Sequence, residues 1–233
     1  MSETLARPLA QRVLRLPAPS ENTTPLPVPE GVIDKAYAAL DAGYTHYTDR
    51  PGILPLRTQI VTALNRQYRL EFKPDVATIT CGATEARFVA LKQLVPAGTT
   101  VLHAGSGAVL QAAAQLLDIE LTTDSSPNVS LVYLTPTDEA AAVTAICAQA
   151  TAQGWWIVWD VSAGLTGSFH PAQTAELAPQ VVTVGSFSGM LPGWRVGWMA
   201  GSKAANKLRA YKQSMTICTT SVAQWAALGL EEA

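Results

Sequence analysis

The sequence VATITCGATE at residues 76–85 joins a run of apolar and β-branched residues to a glycine and then to the start of a helical pattern. The run Val76–Thr80 predicts a buried strand, and the apolar spacing that follows predicts a helix over Thr84–Leu94. Such a junction presents free backbone N–H groups and the positive end of the helix dipole, both of which attract an anion. A plain turn capped by Thr84 accounts for the same residues equally well.

The rest of the chain repeats this alternation of short apolar runs and helical segments. Further strands are predicted at Thr99–His103, Ser130–Leu134, Trp155–Asp160, Val181–Gly185 and Arg195–Ala200. Helices are predicted at Val32–Leu40, Leu54–Tyr68, Ala108–Leu117, Asp138–Gln153 and from Lys203 to the end. Strands that alternate with helices predict an α/β fold, here a three-layer sandwich whose mostly parallel, mixed sheet is covered on both faces.

The two ends of the chain differ in character. Six prolines fall within the first 29 residues, so residues 1–29 are predicted to form an extended arm without a core of its own. Residues 30–233 carry the alternating pattern, and they are predicted to form one domain.

The composition bounds the classes of function. Hydrophobic residues make up 48% and charged residues 15%, while the net charge of −2 provides no basic surface for nucleic acid. The three cysteines and three histidines lack the spacing of a disulfide framework or a metal site. We find neither a signal peptide nor an apolar stretch long enough to cross a membrane, so a cytoplasmic protein without nucleic-acid or membrane partners is expected.

Two further strand ends carry polar residues at the edge where parallel sheets bind their ligands. Asp160 ends an apolar run, and a carboxylate buried there needs a cationic partner. A protonated heterocycle, a pairing with Arg195 and capping of the next segment all fit this residue. Ser186, Ser188 and Arg195 follow the next strand, where two hydroxyls and a guanidinium could clamp a phosphate. Alternatively, Arg195 stacks on a tryptophan and the serines satisfy a turn.

Taken together and in this order, the motifs resemble the large domain of the class I/II, fold-type I pyridoxal-phosphate aminotransferases. The resemblance extends from the proline-rich arm to the final helix. It rests on Thr45-His46-Tyr47-Thr48 with Gly52 and Leu56-Arg57, Cys81-Gly82-Ala83-Thr84-Glu85-Ala86, Asp160, Ser186-Phe187-Ser188, and Gly193-Trp194-Arg195-Val196-Gly197.

The resemblance implies a role for each matching residue. Asp160 would pair with the pyridine nitrogen of pyridoxal phosphate and keep it protonated. Tyr47 would reach the cofactor phosphate of the neighbouring subunit, which implies a homodimer. The residues implied to hold the phosphate within one subunit are Gly82, Ala83, Thr84, Ser186, Ser188 and Arg195.

Several parts of the family pattern are missing. Gly189 stands where the family has the lysine that forms the Schiff base and moves the proton, so no catalytic residue is assigned. The connection from Gly189 to Arg195 is also shorter than in the family. The chain ends at Ala233, where the family continues into a small C-terminal domain that holds the substrate carboxylate, so this domain is expected to be missing. The ring-stacking aromatic, the asparagine and the tyrosine of the family are absent near Gly107-Ala108, Thr135-Pro136-Thr137 and Ser162-Ala163, respectively.

These departures favour a degenerate aminotransferase-like protein without transaminase activity, which keeps a pocket for a phosphate or for pyridoxal phosphate. One alternative is a protein that binds pyridoxal phosphate or another small phosphorylated ligand without a covalent bond. Another is an aminotransferase whose site is incomplete. The sequence does not identify a substrate for any of these hypotheses.

Overall fold

The structure, a computed structural model, describes residues 26–125 and 128–230. Its helices are α1 (Glu30–Asp41), α2 (Leu54–Tyr68), α3 (Gly82–Leu94), α4 (Gln111–Leu117), α5 (Ala140–Gln153), α6 (Ala205–Thr216) and α7 (Ser221–Ala227). Its strands are β1 (Ala77–Thr80), β2 (Thr100–His103), β3 (Glu120–Thr122), β4 (Val129–Leu134), β5 (Trp156–Asp160), β6 (Val181–Ser186) and β7 (Gly197–Ala200).

The seven strands form one mixed sheet in the order β1-β7-β6-β5-β4-β2-β3. Strand β7 runs antiparallel to both of its neighbours, β1 and β6, while the pairs from β6 to β3 are all parallel. The predicted fold class is therefore confirmed. The parallel strands end at one edge of the sheet, which brings Asp160 and Ser186 to the same side of the molecule.

Helices cover both faces of the sheet because successive side chains of a buried strand point in opposite directions. In β5, Trp159 joins the core that includes Leu64 of α2 and Val143 of α5. Val158 joins a second core with Val89 of α3 and Leu208 of α6 on the other face. These two cores make the three layers that the alternation of strands and helices predicts.

The structure differs from the sequence prediction in three elements. Strand β3 was not predicted, since its three residues are polar at the first position and only partly buried. The segment predicted as a helix over Ala108–Leu117 begins as a 3₁₀ turn at Gly107–Leu110 before α4. The single helix predicted from Lys203 onward is two helices, because Ile217 has a φ of +50° and ends α6.

The predicted extended arm falls mostly outside the described residues. Residues 26–29 belong to no helix or strand and lead directly into α1. Within the described ranges, no helix has both the length and the apolar character needed to span a bilayer.

Candidate anion site at the N-terminus of α3

The N-terminus of α3 carries no side-chain cap. Cys81 precedes the helix, and Gly82 follows with a φ of +75°, a conformation that favours glycine. The backbone N–H of Cys81 donates to Oε2 of Glu85 at 2.6 Å, while Thr84 is exposed and caps nothing. The interpretation as a turn capped by Thr84 is therefore wrong. The N–H groups of the first helical turn are left for an anion.

Strand β7 approaches this helix end through a pair of glycines. Ser186 of β6 lies opposite Gly197 of β7 in the sheet. A Cβ on Gly197 would overlap the peptide that joins Gly82 to Ala83, so only glycine fits there without a shift of the backbone. This close approach brings the end of β6 next to the N-terminus of α3.

Arg195 lies against the same helix end. It adopts a left-handed backbone conformation with a φ of +55° just before β7, and its Nη1 donates to the carbonyl of Pro192 at 3.2 Å. A Cβ on Gly82 would overlap the Arg195 guanidinium, which places this cation beside the uncapped N–H groups. The alternative in which Arg195 stacks on a tryptophan is not seen. The cation–π contact in the described part of the chain is Lys203 over Trp156, at 5.2 Å.

The two serines after β6 share one hydrogen-bonded group. Ser186 Oγ and Ser188 Oγ lie 2.7 Å apart, and the N–H of Ser188 donates to Ser186 Oγ at 3.3 Å. Ser186 Oγ also donates to the carbonyl of Ser162 at 3.4 Å. The serines therefore satisfy a turn, and their role in a phosphate clamp stays a prediction.

An open pocket of about 450 Å³ lies at the N-terminus of α3 beside Arg195, and neither serine lines it. Its size suits a small molecule. It is lined by Cys81, Thr84, Glu85, Phe88, Arg195 and Met215.

Asp160 is buried at the end of β5, and both oxygens of its carboxylate accept hydrogen bonds from the protein. Its Oδ2 accepts from Arg87 Nε at 2.6 Å and from the Tyr133 hydroxyl at 2.7 Å. Its Oδ1 accepts from the N–H of Ser162 at 2.8 Å, and Arg87 Nη2 donates to Ser162 Oγ at 2.6 Å. The hypothesis that Asp160 pairs with Arg195 is therefore wrong. The cation is Arg87, a residue that the sequence analysis did not single out.

The charges of this pair stabilise each other. Burial alone would lower the pKa of Arg87, but the hydrogen bond and the charge of Asp160 outweigh it and hold the pKa above its ordinary value. Burial, together with the negative charge of Asp160, raises the pKa of Tyr133 far above the ordinary tyrosine value. Arg87 therefore stays charged, and the Tyr133 hydroxyl stays a donor to Asp160.

Gly189 is exposed, and a Cβ added there would meet nothing within 4 Å. A Cβ could therefore be added at position 189 without a clash. Lys212 of α6 is fully buried, and its Nζ has no hydrogen-bond partner within the described ranges. Burial lowers the pKa of Lys212, and the charge of Glu85 opposes that effect.

Two segments where the family resemblance implies ring contacts, near Gly107 and Thr135, make other contacts in this structure. A Cβ on Gly107 would overlap the His103 ring, so an aromatic side chain does not fit at this position without a rearrangement. The N–H of Thr135 donates to Asp138 Oδ2 at 2.7 Å, and Ser106 Oγ donates to the same oxygen at 3.0 Å. Both segments are thus held by local turns.

Tyr47 is not one of the residues that form the predicted phosphate cradle of its own chain, which are Gly82, Ala83, Thr84, Ser186, Ser188 and Arg195. It is 70% exposed in the loop before α2, where its ring makes an edge contact with His46. The role predicted for Tyr47 belongs to a neighbouring subunit, so it stays a prediction. Among the described residues, no group of three or more histidine, cysteine or acidic side chains could hold a metal ion.

The chain was compared with protein families, with curated proteins and with solved structures. No family model matches it. It is 24% identical to an aspartate aminotransferase of Thermotoga maritima over 87% of this chain and 62% of that protein. It is 25% identical to an aspartate aminotransferase of Geobacillus stearothermophilus over 86% of this chain and 60% of that protein. The chain thus spans about three fifths of the length of these relatives.

Solved aminotransferases share the fold. A mutant of the aspartate aminotransferase of Thermus thermophilus superposes with a TM-score of 0.75 at 20% identity, over 88% of this chain and 65% of that chain. The aromatic aminotransferase of Pyrococcus horikoshii gives a TM-score of 0.77 at 18% identity, over 89% and 65% of the two chains. The chain is therefore similar in sequence to aspartate aminotransferases, and it has the fold of the large domain of fold-type I aminotransferases.

Proposed function

We propose that this protein is a degenerate aminotransferase-like protein that binds a small phosphorylated ligand without a covalent bond and does not carry out ordinary transamination. One observation carries the binding part of the proposal: the Arg195 guanidinium lies against Gly82 at an uncapped helix N-terminus. The dipole of α3, the guanidinium and the hydroxyls of Ser186 and Ser188 all attract the same kind of group, a phosphate. Gly189 in the lysine position supports the loss of transamination.

The residues present fit the phosphate of pyridoxal phosphate, but they do not fit its ring. The phosphate finds donors at Gly82, Ala83 and Thr84. Asp160, which would bind the ring nitrogen, is already paired with Arg87. Position 189, which would supply the amine for the carbonyl carbon of the cofactor, is a glycine. We therefore derive no reaction step through this cofactor.

We also propose a homodimer in which Tyr47 serves the phosphate site of the partner subunit. Tyr47, Tyr44 and Leu54 are each at least half exposed around the loop before α2, which leaves a large apolar surface for another chain. Sedimentation equilibrium checks the association. A chain that stays monomeric at high micromolar concentration contradicts this part of the proposal.

Inorganic phosphate tests the binding part. A ligand that binds only the native state raises the free energy of unfolding, by about 2.7 kcal/mol at a concentration one hundred times its Kd. We expect phosphate to raise the melting temperature of the wild type, and we expect Arg195→Ala to lose at least about tenfold in affinity, since it removes a charge-assisted bond.

The matched control is Lys35→Ala, which removes one exposed positive charge from α1, outside the proposed site. This variant should respond to phosphate as the wild type does. Equal stabilisation of the wild type and Arg195→Ala, or none in either, overturns the proposed phosphate site.

The transaminase part has its own assay. We expect no transfer of amino groups from aspartate or aromatic amino acids to 2-oxoglutarate when pyridoxal phosphate is added in excess. Turnover that Asp160→Ala abolishes contradicts the proposal.

A further inference from the structure

Arg87 forms an ion pair with Asp160, the carboxylate that the family resemblance assigns to the ring nitrogen of pyridoxal phosphate. We propose that Arg87 is the permanent counter-ion of Asp160, so that this site selects phosphorylated ligands whose other end is neutral or anionic and excludes those with a cationic ring. The inference rests on the phosphate site proposed above, and it names the class of ligand which that site takes.

The balance of charge is the first argument. The side chains of Asp160 and Arg87 are 2% and 14% exposed, so water screens them little. The carboxylate has one negative charge, and the guanidinium at 2.6 Å neutralises it. A protonated ring nitrogen in the same place would put two cations on one carboxylate, which disfavours the charged form of the ring.

The hydrogen bonds to Asp160 also disfavour a cationic ring. Arg87, Tyr133 and the N–H of Ser162 together supply three hydrogen bonds to its two oxygens. The carboxylate has about four acceptor sites, and the one left is on Oδ1, so a ring N–H that approached Oδ2 would have to displace Arg87 or Tyr133. Displacing Arg87 would leave a buried guanidinium without its counter-ion, which is among the most destabilising changes in a protein interior.

The position of Arg87 links the pair to the phosphate cradle. Arg87 lies three residues after Thr84 on α3, and residues at this spacing share one face of a helix. Its Nη2 donates to Ser162 Oγ, and the carbonyl of Ser162 accepts from Ser186 Oγ. A ligand whose phosphate sits at the helix end would therefore extend toward a guanidinium. Guanidinium donates only, so it favours carboxylate, hydroxyl or carbonyl oxygens over a cation.

Two phosphate monoesters test whether the site excludes a cationic ring and accepts a neutral one. Pyridoxine 5′-phosphate has a ring nitrogen that takes up a proton near neutral pH, and it lacks the aldehyde that reacts with any exposed lysine. Phenyl phosphate has a ring without a nitrogen. Isothermal titration at pH 7 with both ligands measures the preference of the wild type and of Arg87→Gln. This variant removes the positive charge and keeps an amide that can donate to Asp160. The matched control is Lys92→Gln, an exposed charge on the same helix.

We expect the wild type and Lys92→Gln to bind phenyl phosphate more tightly than pyridoxine 5′-phosphate. In Arg87→Gln the affinity for pyridoxine 5′-phosphate should rise at least about tenfold, since Asp160 then needs a cation and a charge-assisted bond becomes available. The affinity for phenyl phosphate should change little. The double variant Arg87→Gln/Asp160→Asn should lose the gain, since its site no longer carries a negative charge.

The results also separate this inference from the proposed phosphate site. If no monoester binds the wild type but Arg87→Gln acquires affinity for pyridoxine 5′-phosphate, the phosphate site fails in the native protein, while the exclusion of a cationic ring by Arg87 stands. If the wild type prefers pyridoxine 5′-phosphate, or if Arg87→Gln gains nothing for it, the inference is overturned. Should Arg87→Gln not fold, Arg87→Leu serves for the same comparison, and the preference of the wild type decides alone if neither variant folds.

Discussion

The pair of Arg87 and Asp160 should be the most strongly coupled pair of charges in the described part of the molecule. Asp160→Asn leaves a buried guanidinium without a counter-ion, and Arg87→Gln leaves a buried carboxylate with only neutral donors. Removing one partner of a buried pair costs about 3–5 kcal/mol of unfolding free energy. Two unit charges about 4 Å apart attract by about 4 kcal/mol at an effective dielectric constant of 20, which agrees with that range.

The double variant Arg87→Gln/Asp160→Asn carries no charge in this place, so it should be much less unstable than the sum of the two single variants. We expect a coupling energy of about 2–3 kcal/mol, near the upper end of what contacting residues show. Urea denaturation at pH 7, followed by tryptophan fluorescence and circular dichroism, measures all four proteins. Unchanged m-values show that the unfolded states are comparable. Additive losses, within about 0.5 kcal/mol, would refute the reasoning, because independent residues behave in that way.

Three further changes test the site and its surroundings. Gly197→Ala forces a Cβ against the backbone at Gly82, so it should cost about 1–3 kcal/mol and weaken phosphate binding, as urea denaturation and titration will measure. Gly189→Lys should change the unfolding free energy by no more than about 0.5 kcal/mol, because its Cβ meets open space, and a thermal melt checks this. Burial lowers the pKa of His170 to about 3 from its ordinary value of 6.5, so the unfolded state binds the proton first as the pH falls. From pH 6.5 toward 3 the wild type should lose about 1.4 kcal/mol per pH unit more than His170→Asn, and parallel profiles of the two proteins would contradict the assignment.

The sequence predicted the elements whose periodicity is strong. Helix α2 has the bounds that were predicted, because Leu56, Ile60 and Leu64 repeat at helical spacing and all three are buried. The break at Ile217 was missed, since a β-branched residue gives no sign that it will adopt a positive φ. Such a conformation is imposed by tertiary packing, which no local pattern records.

The site shows the same division between local and tertiary information. The sequence singled out Asp160 and Ser186 because they end buried strands, where ligands of a parallel sheet bind, and their functional roles stay predictions. Arg87 was missed because a single arginine on a helix resembles an ordinary exposed residue. A signal was nevertheless present: Asp160 required a cation, and Arg87 shares a helix face with Thr84 at the predicted anion site. Only the packing of α3 against the sheet shows that Arg87 is the cation that pairs with Asp160.

Gly189 and Arg87, in separate parts of the chain, both bear on whether the ring of pyridoxal phosphate fits this site. Gly189 lies in the connection after β6, and Arg87 lies on α3, so neither residue is a geometric consequence of the other. Under the proposed function, position 189 offers the ring of pyridoxal phosphate no amine, and Asp160 is already paired with Arg87. A lysine restored at position 189 therefore leaves Asp160 occupied, and we expect Gly189→Lys alone to show no transamination. The donors proposed for the phosphate, which are the N-terminus of α3, Ser186 and Ser188, include neither residue, so the proposed anion site does not require a lysine at position 189.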